Sequence, residues 1–133
     1  AARTGHTVAT TIHSNSCEST YRRMMTLAKR KYNMSDDTLM GLMVEAFPII
    51  AYCHQLEDGS RKITEITEAE GYHGGKLVYR SLFRFLVDDN TETDGRVKVN
   101  GHFERGKGIS DMLYNAMLRN GAPKAAIAEF REV

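Results

Sequence analysis

Pro48 marks the change in the sequence that most constrains the fold, because the hydrophobic pattern differs on its two sides. Before it, apolar residues recur at the spacing of two amphipathic helices, the first after Ser16 and the second from Ser35. After it, an unbroken apolar run over residues 49–53 predicts an inner strand, and Asp58 followed by glycine predicts a two-residue hairpin turn. Because proline ends a helix, the chain must change from helix to strand at this point.

The segments around these elements follow from the same patterns. Ile63 and Ile66 break the alternation of a return strand over residues 61–67, which predicts a bulge or burial on both faces. We expect next a turn at 71–75, a strand at 76–85, an acidic loop at 88–95, a strand at 97–103, a helix with Ile109, Met112, Leu113, Ala116 and Met117 facing inward, and a last helix at 124–130.

The start of the chain is predicted from β-branched residues and helix-capping signals. Residues 8–13 predict a strand, and Asn15 with Glu18 approximates a capping box for the first helix. The buried faces of the first two helices are predicted at Tyr21, Met24, Met25, Ala28 and Tyr32, and at Leu39, Leu42, Met43 and Ala46. The whole order predicts a single α/β domain over residues 1–133 with an antiparallel meander.

Composition excludes several classes of function. The 133 residues are 41% hydrophobic with a formal net charge of +1, which gives no electrostatic case for nucleic acid or lipid. The longest apolar stretch is too short to span a bilayer, and two cysteines favour a reducing cytoplasm over a disulfide framework. The chain opens at Ala1 without an initiator methionine, which we interpret as a cut within a larger protein.

His13 is the candidate functional residue that the pattern places best. It would lie at the end of the predicted strand and just before a helix, the edge of an α/β sheet where ligands and phosphate groups bind. A neutral imidazole there can donate a hydrogen bond to a phosphoryl oxygen or orient water. The alternative is an ordinary structural histidine, since the chain has five.

Several motifs in order resemble the type II/type IV secretion ATPases, in particular their tight-adherence pilus and conjugation branch. Thr4-Gly5-His6 and Thr10-Thr11-Ile12-His13-Ser14-Asn15-Ser16 resemble the family's histidine box. Further similarities are Arg23 with Met24 and Thr26, the hairpin sequence over 56–68, Leu82-Phe83-Arg84-Phe85, the strand at 101–103 and Leu118-Arg119-Asn120-Gly121. Together they span nearly the whole chain.

The resemblance implies the C-terminal portion of a RecA-like P-loop NTPase, without the Walker A and Walker B segments. His13 would lie at the nucleotide γ-phosphate, His6 would shape the same region, and Arg23 would contribute to a subunit interface. The intact protein would use ATP and Mg²⁺, with neither expected on the fragment alone, which would be inactive. Its partners would be the other subunits of a homo-hexamer and an inner-membrane platform protein, at the cytoplasmic face of the membrane and without direct nucleic-acid contact.

Other interpretations remain beside this one. Residues 101–107 fit the pattern G-x-x-x-x-G-K, but Gly108 stands where a Mg²⁺-binding hydroxyl should follow, so we reject a phosphate loop. Cys17 at a helix start suggests either a reactive thiol or, as we prefer, a small packing residue. We expect no metal site, since no H-x-x-x-H or C-x-x-C spacing occurs. A stand-alone interaction domain, using the hairpin and the acidic loop, is the alternative function, and a small hydrolase ranks last.

Overall fold

The computed structural model describes residues 8–131, which form four helices and one four-stranded sheet. The elements are α1 (Cys17–Lys29), α2 (Asp36–Ala46), β1 (Ile49–Gln55), β2 (Arg61–His73), β3 (Lys76–Thr93), β4 (Arg96–Arg105), α3 (Asp111–Arg119) and α4 (Lys124–Ala128). The predicted mixture of helices with an antiparallel meander is confirmed.

The sheet is an antiparallel meander with strand order β1-β2-β3-β4 and helices on both faces. Ala69 of β2 packs with Tyr21, Met40 and Val44 of α1 and α2. Its neighbour Glu68 accepts a hydrogen bond from the backbone of Ser110 at the start of α3. Adjacent strand residues point to opposite faces, so α1 and α2 cover one face and α3 the other. The second core cluster comprises Leu82, Ile109, Tyr114 and Ile127.

The first hairpin confirms the predicted bulge and corrects the length of the turn. Tyr52 pairs with Glu65 and Cys53 with Ile63, which leaves Thr64 as the extra residue on β2. The Leu56 amide donates to the Ser60 carbonyl at 2.8 Å, so three residues rather than two form the loop. The extra residue changes which face the side chains of β2 point to, as the spacing of its isoleucines requires.

The acidic loop predicted at 88–95 is wrong, because β3 continues through Thr93 and turns at Asp94-Gly95 into β4. Both turn residues have positive φ, 52° and 73°, the backbone of a type I′ hairpin turn. In this exposed ribbon the backbone ladder, rather than burial of side chains, holds the strands together, and polar residues are therefore compatible with it. We call residues 85–103 the arm.

The loop of the first hairpin contacts the arm. Asp58 Oδ2 accepts a hydrogen bond from the Val99 amide of β4 at 3.0 Å, and Asp58 Oδ1 accepts one from the Ser60 amide at 2.9 Å. The hydroxyl of Ser60, followed by its amide and that of Val99, lowers the pKa of Asp58 to about 2. The loop of the first hairpin is thereby joined to the arm at Val99.

The strand predicted over residues 8–13 is wrong, since residues 8–14 carry no strand assignment. Among the described residues β1 pairs only with β2, so it is an edge strand rather than the predicted inner strand, and no strand lies beside residues 8–14 to complete a ladder with them. Strand formation requires a paired neighbour, which local β propensity cannot supply. These residues alternate between exposed and half-buried from position 11 to 16, as in extended chain.

The helices begin close to their predicted starts but differ in their buried faces. Ser16, not Asn15, is the N-cap of α1, while Ser35 caps α2 as predicted. α1 ends at Lys29 and leaves Tyr32, a predicted buried residue, exposed. Leu39 of α2 is buried as expected, but the other buried positions are Met40 and Val44. In α3, Tyr114 is buried and Met112 is 61% exposed, because the helix is rotated relative to the predicted face. Asn120 is the C-cap of α3, and Gly121 follows it with positive φ.

Candidate functional site

His13 lies three residues before the N-cap of α1, in a turn that serine hydroxyls hold in place. Ser16 has extended backbone, its hydroxyl accepts from the Ser19 amide at 3.0 Å, and the Ser19 hydroxyl accepts from the Ser16 amide at 3.0 Å. Ser14 Oγ lies 2.6 Å from Ser19 Oγ, and Thr20 Oγ1 donates to the Ser16 carbonyl at 2.8 Å. This network fixes the backbone immediately after His13 and leaves its imidazole exposed.

A polar cleft of about 460 Å³ opens at this turn, and His13 and Arg23 both line it. The other lining residues are Ser14, Asn15 and Ser19. Ser19 and Arg23 are four residues apart in α1 and therefore lie on the same helix face. The structure thus brings together His13 and Arg23, which the resemblance assigned to a nucleotide site and a subunit interface respectively. His6 lies outside the described residues.

The Arg23 guanidinium makes no hydrogen bond or ion pair with the part of the chain that the structure describes, and Arg23 is exposed. The adjacent Arg22 differs, because its guanidinium lies 3.7 Å from the Glu18 carboxylate one turn earlier. Among the described residues no carboxylate lines the cleft. The cleft therefore offers a guanidinium, an imidazole, an amide and hydroxyls to a ligand, a donor-rich set suited to an anion.

A second cavity, which we call the slot, separates residues 8–14 from the outer edge of β1. Its volume is about 480 Å³, and residues 8–14 form one wall while residues 49–53 form the other. Thr20, Met24 and Phe47 complete the lining. Each wall consists of consecutive residues, so the slot runs alongside the edge of β1. His13 and Ser14 line both the slot and the cleft.

Cys17 is a packing residue, and the alternative of a reactive thiol is wrong. It is 1% exposed, and its Sγ lies 3.7 Å from the Ile50 carbonyl, to which it donates. Burial raises the pKa of the Cys17 thiol to about 11. The thiolate that would act as a nucleophile is therefore scarce at neutral pH.

The G-x-x-x-x-G-K segment is strand and tight turn, which confirms that it is not a phosphate loop. Residues 101–105 belong to β4, and the Gly106 amide donates to the Leu82 carbonyl at 2.8 Å. A phosphate loop instead leaves its amides free to bind the phosphates. A Cβ at Gly106 would collide with the Ser81 carbonyl, so its glycine is explained by close packing.

The sequence reasoning missed a buried carboxylate at the start of α3. Glu68 is 0% exposed, and its carboxylate accepts hydrogen bonds from both the amide and the hydroxyl of Ser110, the N-cap of α3. Arg80 donates to Glu70 and to the Gly108 carbonyl beside it. The sequence did carry one signal for the burial of Glu68, its position two residues after Ile66. Residues two apart in a strand share a face, and the second core cluster covers that face of β2.

Two further properties bear on the kind of site. In the described range 8–131, no group of three or more His, Cys, Asp or Glu residues could hold a metal ion. Over that range no helix is both long and apolar enough to cross a membrane.

Comparison with known proteins identifies the family. No curated protein matches the chain. The family model described as Type II/IV secretion system protein matches residues 1–98, which include His6, His13, Arg23 and the first two hairpins. This match covers well over half of the 133 residues. The chain therefore belongs to the type II/IV secretion system protein family, and its function is related to that of the secretion-system ATPases.

Proposed function

We propose that this chain supplies the His13 side of the nucleotide site in a RecA-like, hexameric ATPase that drives secretion, pilus assembly or conjugation. The observation that carries the proposal is the position of His13, which lines both the slot beside β1 and the polar cleft. Family membership supplies the class of protein, and the position of His13 supplies the candidate site.

The slot supports the RecA-like part of the proposal. The outer edge of β1 has backbone groups without a strand partner among the described residues, and residues 8–14 run extended on the opposite side. We assign to this space the strand that precedes the phosphate loop, contributed by a portion of the protein outside this sequence. A strand parallel to residues 8–14 would end beside His13, and the loop after it would lie next to the cleft.

The chemistry that follows uses the imidazole of His13 as a hydrogen-bond donor. In a site that excludes water, a donor aimed at the phosphate that is transferred stabilises the charge that develops there. ATP and Mg²⁺ would be held mainly by the phosphate-loop portion, so the chain alone is expected to be inactive. Neighbouring subunits of a homo-hexamer and an inner-membrane platform protein would be the partners, at the cytoplasmic face of the membrane.

The test is His13→Ala in a protein that carries this chain together with its phosphate-loop portion. We expect kcat for ATP hydrolysis to fall about 100-fold, while the Kd for nucleotide changes less than about threefold. The matched control is His54→Ala, because His54 is exposed on β1 and lines neither cavity. Unchanged turnover in His13→Ala, or an equal loss in both variants, would remove His13 from the active site.

A second candidate function, protein interaction without catalysis, is favoured by the arm. Phe103 and Val87 are 62% and 50% exposed, and their pairing across β3 and β4 places them on the same face as Phe85, Val97 and Val99. Apolar exposure on one face of a ribbon is typical of contact surfaces. This candidate predicts that the longer protein has no ATP turnover at all. Measuring the wild-type protein in the same assay therefore separates the two functions.

A further inference from the structure

We infer that Arg23 binds the same phosphate-type oxyanion as His13, so that the two side chains form one anion site within a single subunit. This inference rests on the proposed function, and it changes the role of Arg23 from a subunit contact to a ligand contact. The observation behind it is that Arg23 and His13 line one cleft although ten positions separate them in the sequence.

The orientation of α1 distinguishes Arg23 from the arginine beside it. Successive helix positions differ by about 100°, so Arg22 and Arg23 point in different directions. Arg22 is engaged by Glu18 at 3.7 Å. Arg23 lies on the face of Ser19, which borders the cleft, and has no partner within residues 8–131. Its positive charge is therefore available to a ligand in the cleft.

The side chains, rather than the free amides of a helix end, make this site. The Ser19 amide is already bonded to the Ser16 hydroxyl, and the Thr20 amide donates to the Ser16 carbonyl at 3.2 Å. The residues that line the cleft carry a guanidinium (Arg23), an imidazole (His13), an amide (Asn15) and serine hydroxyls. Asn15 is exposed and adjacent to His13, so three nitrogen-bearing side chains converge.

The donor set favours a tetrahedral oxyanion over a carboxylate. A guanidinium can donate two parallel hydrogen bonds to one phosphate, which leaves further phosphate oxygens for the imidazole and the amide. A single carboxylate has two oxygens, and once the paired donors of Arg23 have bonded to both, the remaining lone pairs lie in the same plane and suit donors from other directions less well than the oxygens of a tetrahedral phosphate do. A carboxylate from a neighbouring subunit is nevertheless the competing partner, and the experiment separates it.

The experiment is an NMR titration of the 133-residue chain with inorganic phosphate and pyrophosphate at constant ionic strength. The probes are the Arg23 Nε–H and the ring protons of His13. We expect both to shift together and saturably, with a Kd in the range of about 1–20 mM, typical of a small solvent-exposed anion site. Arg23→Gln should raise that Kd at least about fivefold. Arg23→Lys keeps the charge but loses the paired donors of the guanidinium, and it should raise the Kd about twofold.

Arg22→Gln is the matched control, because it removes the same charge from the adjacent position of α1. We expect it to change the Kd for phosphate less than about twofold, since exposed charges outside the cleft are screened. Both arginines are exposed, so neither variant should unfold the chain, and amide spectra without ligand verify this.

Three outcomes overturn the inference. Equal weakening by Arg22→Gln and Arg23→Gln shows nonspecific attraction, and absence of saturable shifts in the wild-type chain shows that there is no anion site. Unchanged phosphate binding with a lower state of association in Arg23→Gln assigns Arg23 to a neighbouring subunit's carboxylate. In that third case His13→Ala still weakens phosphate binding, so the proposed function survives while the role of Arg23 does not.

Discussion

Ser110→Ala should destabilise the chain more than the loss of an ordinary helix cap. The Ser110 hydroxyl accepts from the Leu113 amide at 3.1 Å and donates to the Glu68 carboxylate. Alanine removes both bonds. The fully buried Glu68 carboxylate then keeps only one of its two donors from residue 110, the backbone amide at 2.9 Å.

The expected magnitude follows from those two losses. An N-cap replaced by alanine costs about 1 kcal/mol. A buried charged acceptor that loses a hydrogen bond costs about 2 kcal/mol more, because water cannot replace the missing donor. The free energy of unfolding should therefore fall by about 3 kcal/mol in total.

Ser35→Ala is the matched control, since Ser35 caps α2 through the Thr38 amide at 3.3 Å and contacts no buried charge. It should cost about 1 kcal/mol or less. Urea denaturation followed by far-UV circular dichroism measures both variants, and Glu68→Gln with Ser110→Ala completes a double-mutant cycle. A Ser110→Ala cost no larger than that of Ser35→Ala, or a coupling of zero in the cycle, would refute the reasoning.

Two further predictions concern titration. Ser60 and the Val99 amide lower the pKa of Asp58 to about 2 in the folded chain. The ionised Asp58 therefore stabilises the fold at pH values above the ordinary aspartate pKa near 4, and this contribution is lost as the pH falls toward 2. Asp58→Asn should flatten the dependence of unfolding free energy on pH between about 4 and 2, and an unaltered slope would contradict this. Burial raises the pKa of Cys17 to about 11, whereas Cys53 is exposed. Iodoacetamide at pH 8 should therefore label only Cys53 in the folded chain, and mass spectrometry can measure this. Equal labelling of both cysteines would contradict the prediction.

The features that sequence predicted best are those that short-range chemistry decides. Pro48 ends α2, Ser35 begins it, and the bulge at Thr64 follows from two isoleucines whose spacing does not fit one face. The turn at Asp94-Gly95 also has a short-range signal in its dipeptide, although the acidic residues before it are more typical of a loop.

The features that sequence missed depend on contacts between distant segments. Residues 8–13 have strand-forming side chains, yet the described chain provides no strand partner beside them. Glu68 is buried because Ser110, 42 residues later, supplies its donors. No local pattern encodes such a pair.

Within the candidate site, His13 was predicted from its place before a helix, and the structure places it at the junction of the slot and the cleft. The sequence does not predict the shared cleft of His13 and Arg23, because the two residues belong to separate motifs ten positions apart. Helical spacing from Ser19 to Arg23 would have suggested it once Ser19 was known to close the cap.

The hydrogen bond between Asp58 and Val99 gives the molecule a mechanical route between regions with different roles. The arm carries the exposed apolar face, whereas β1 forms one wall of the slot beside His13. Asp58 lies in the loop that continues directly from β1, so a load on the arm near Val99 is transmitted through one hydrogen bond and the hairpin backbone to that wall. This bond is a direct route beside the strand ladder, which also connects the arm to β1 through the pairing of β3 with β2 and of β2 with β1.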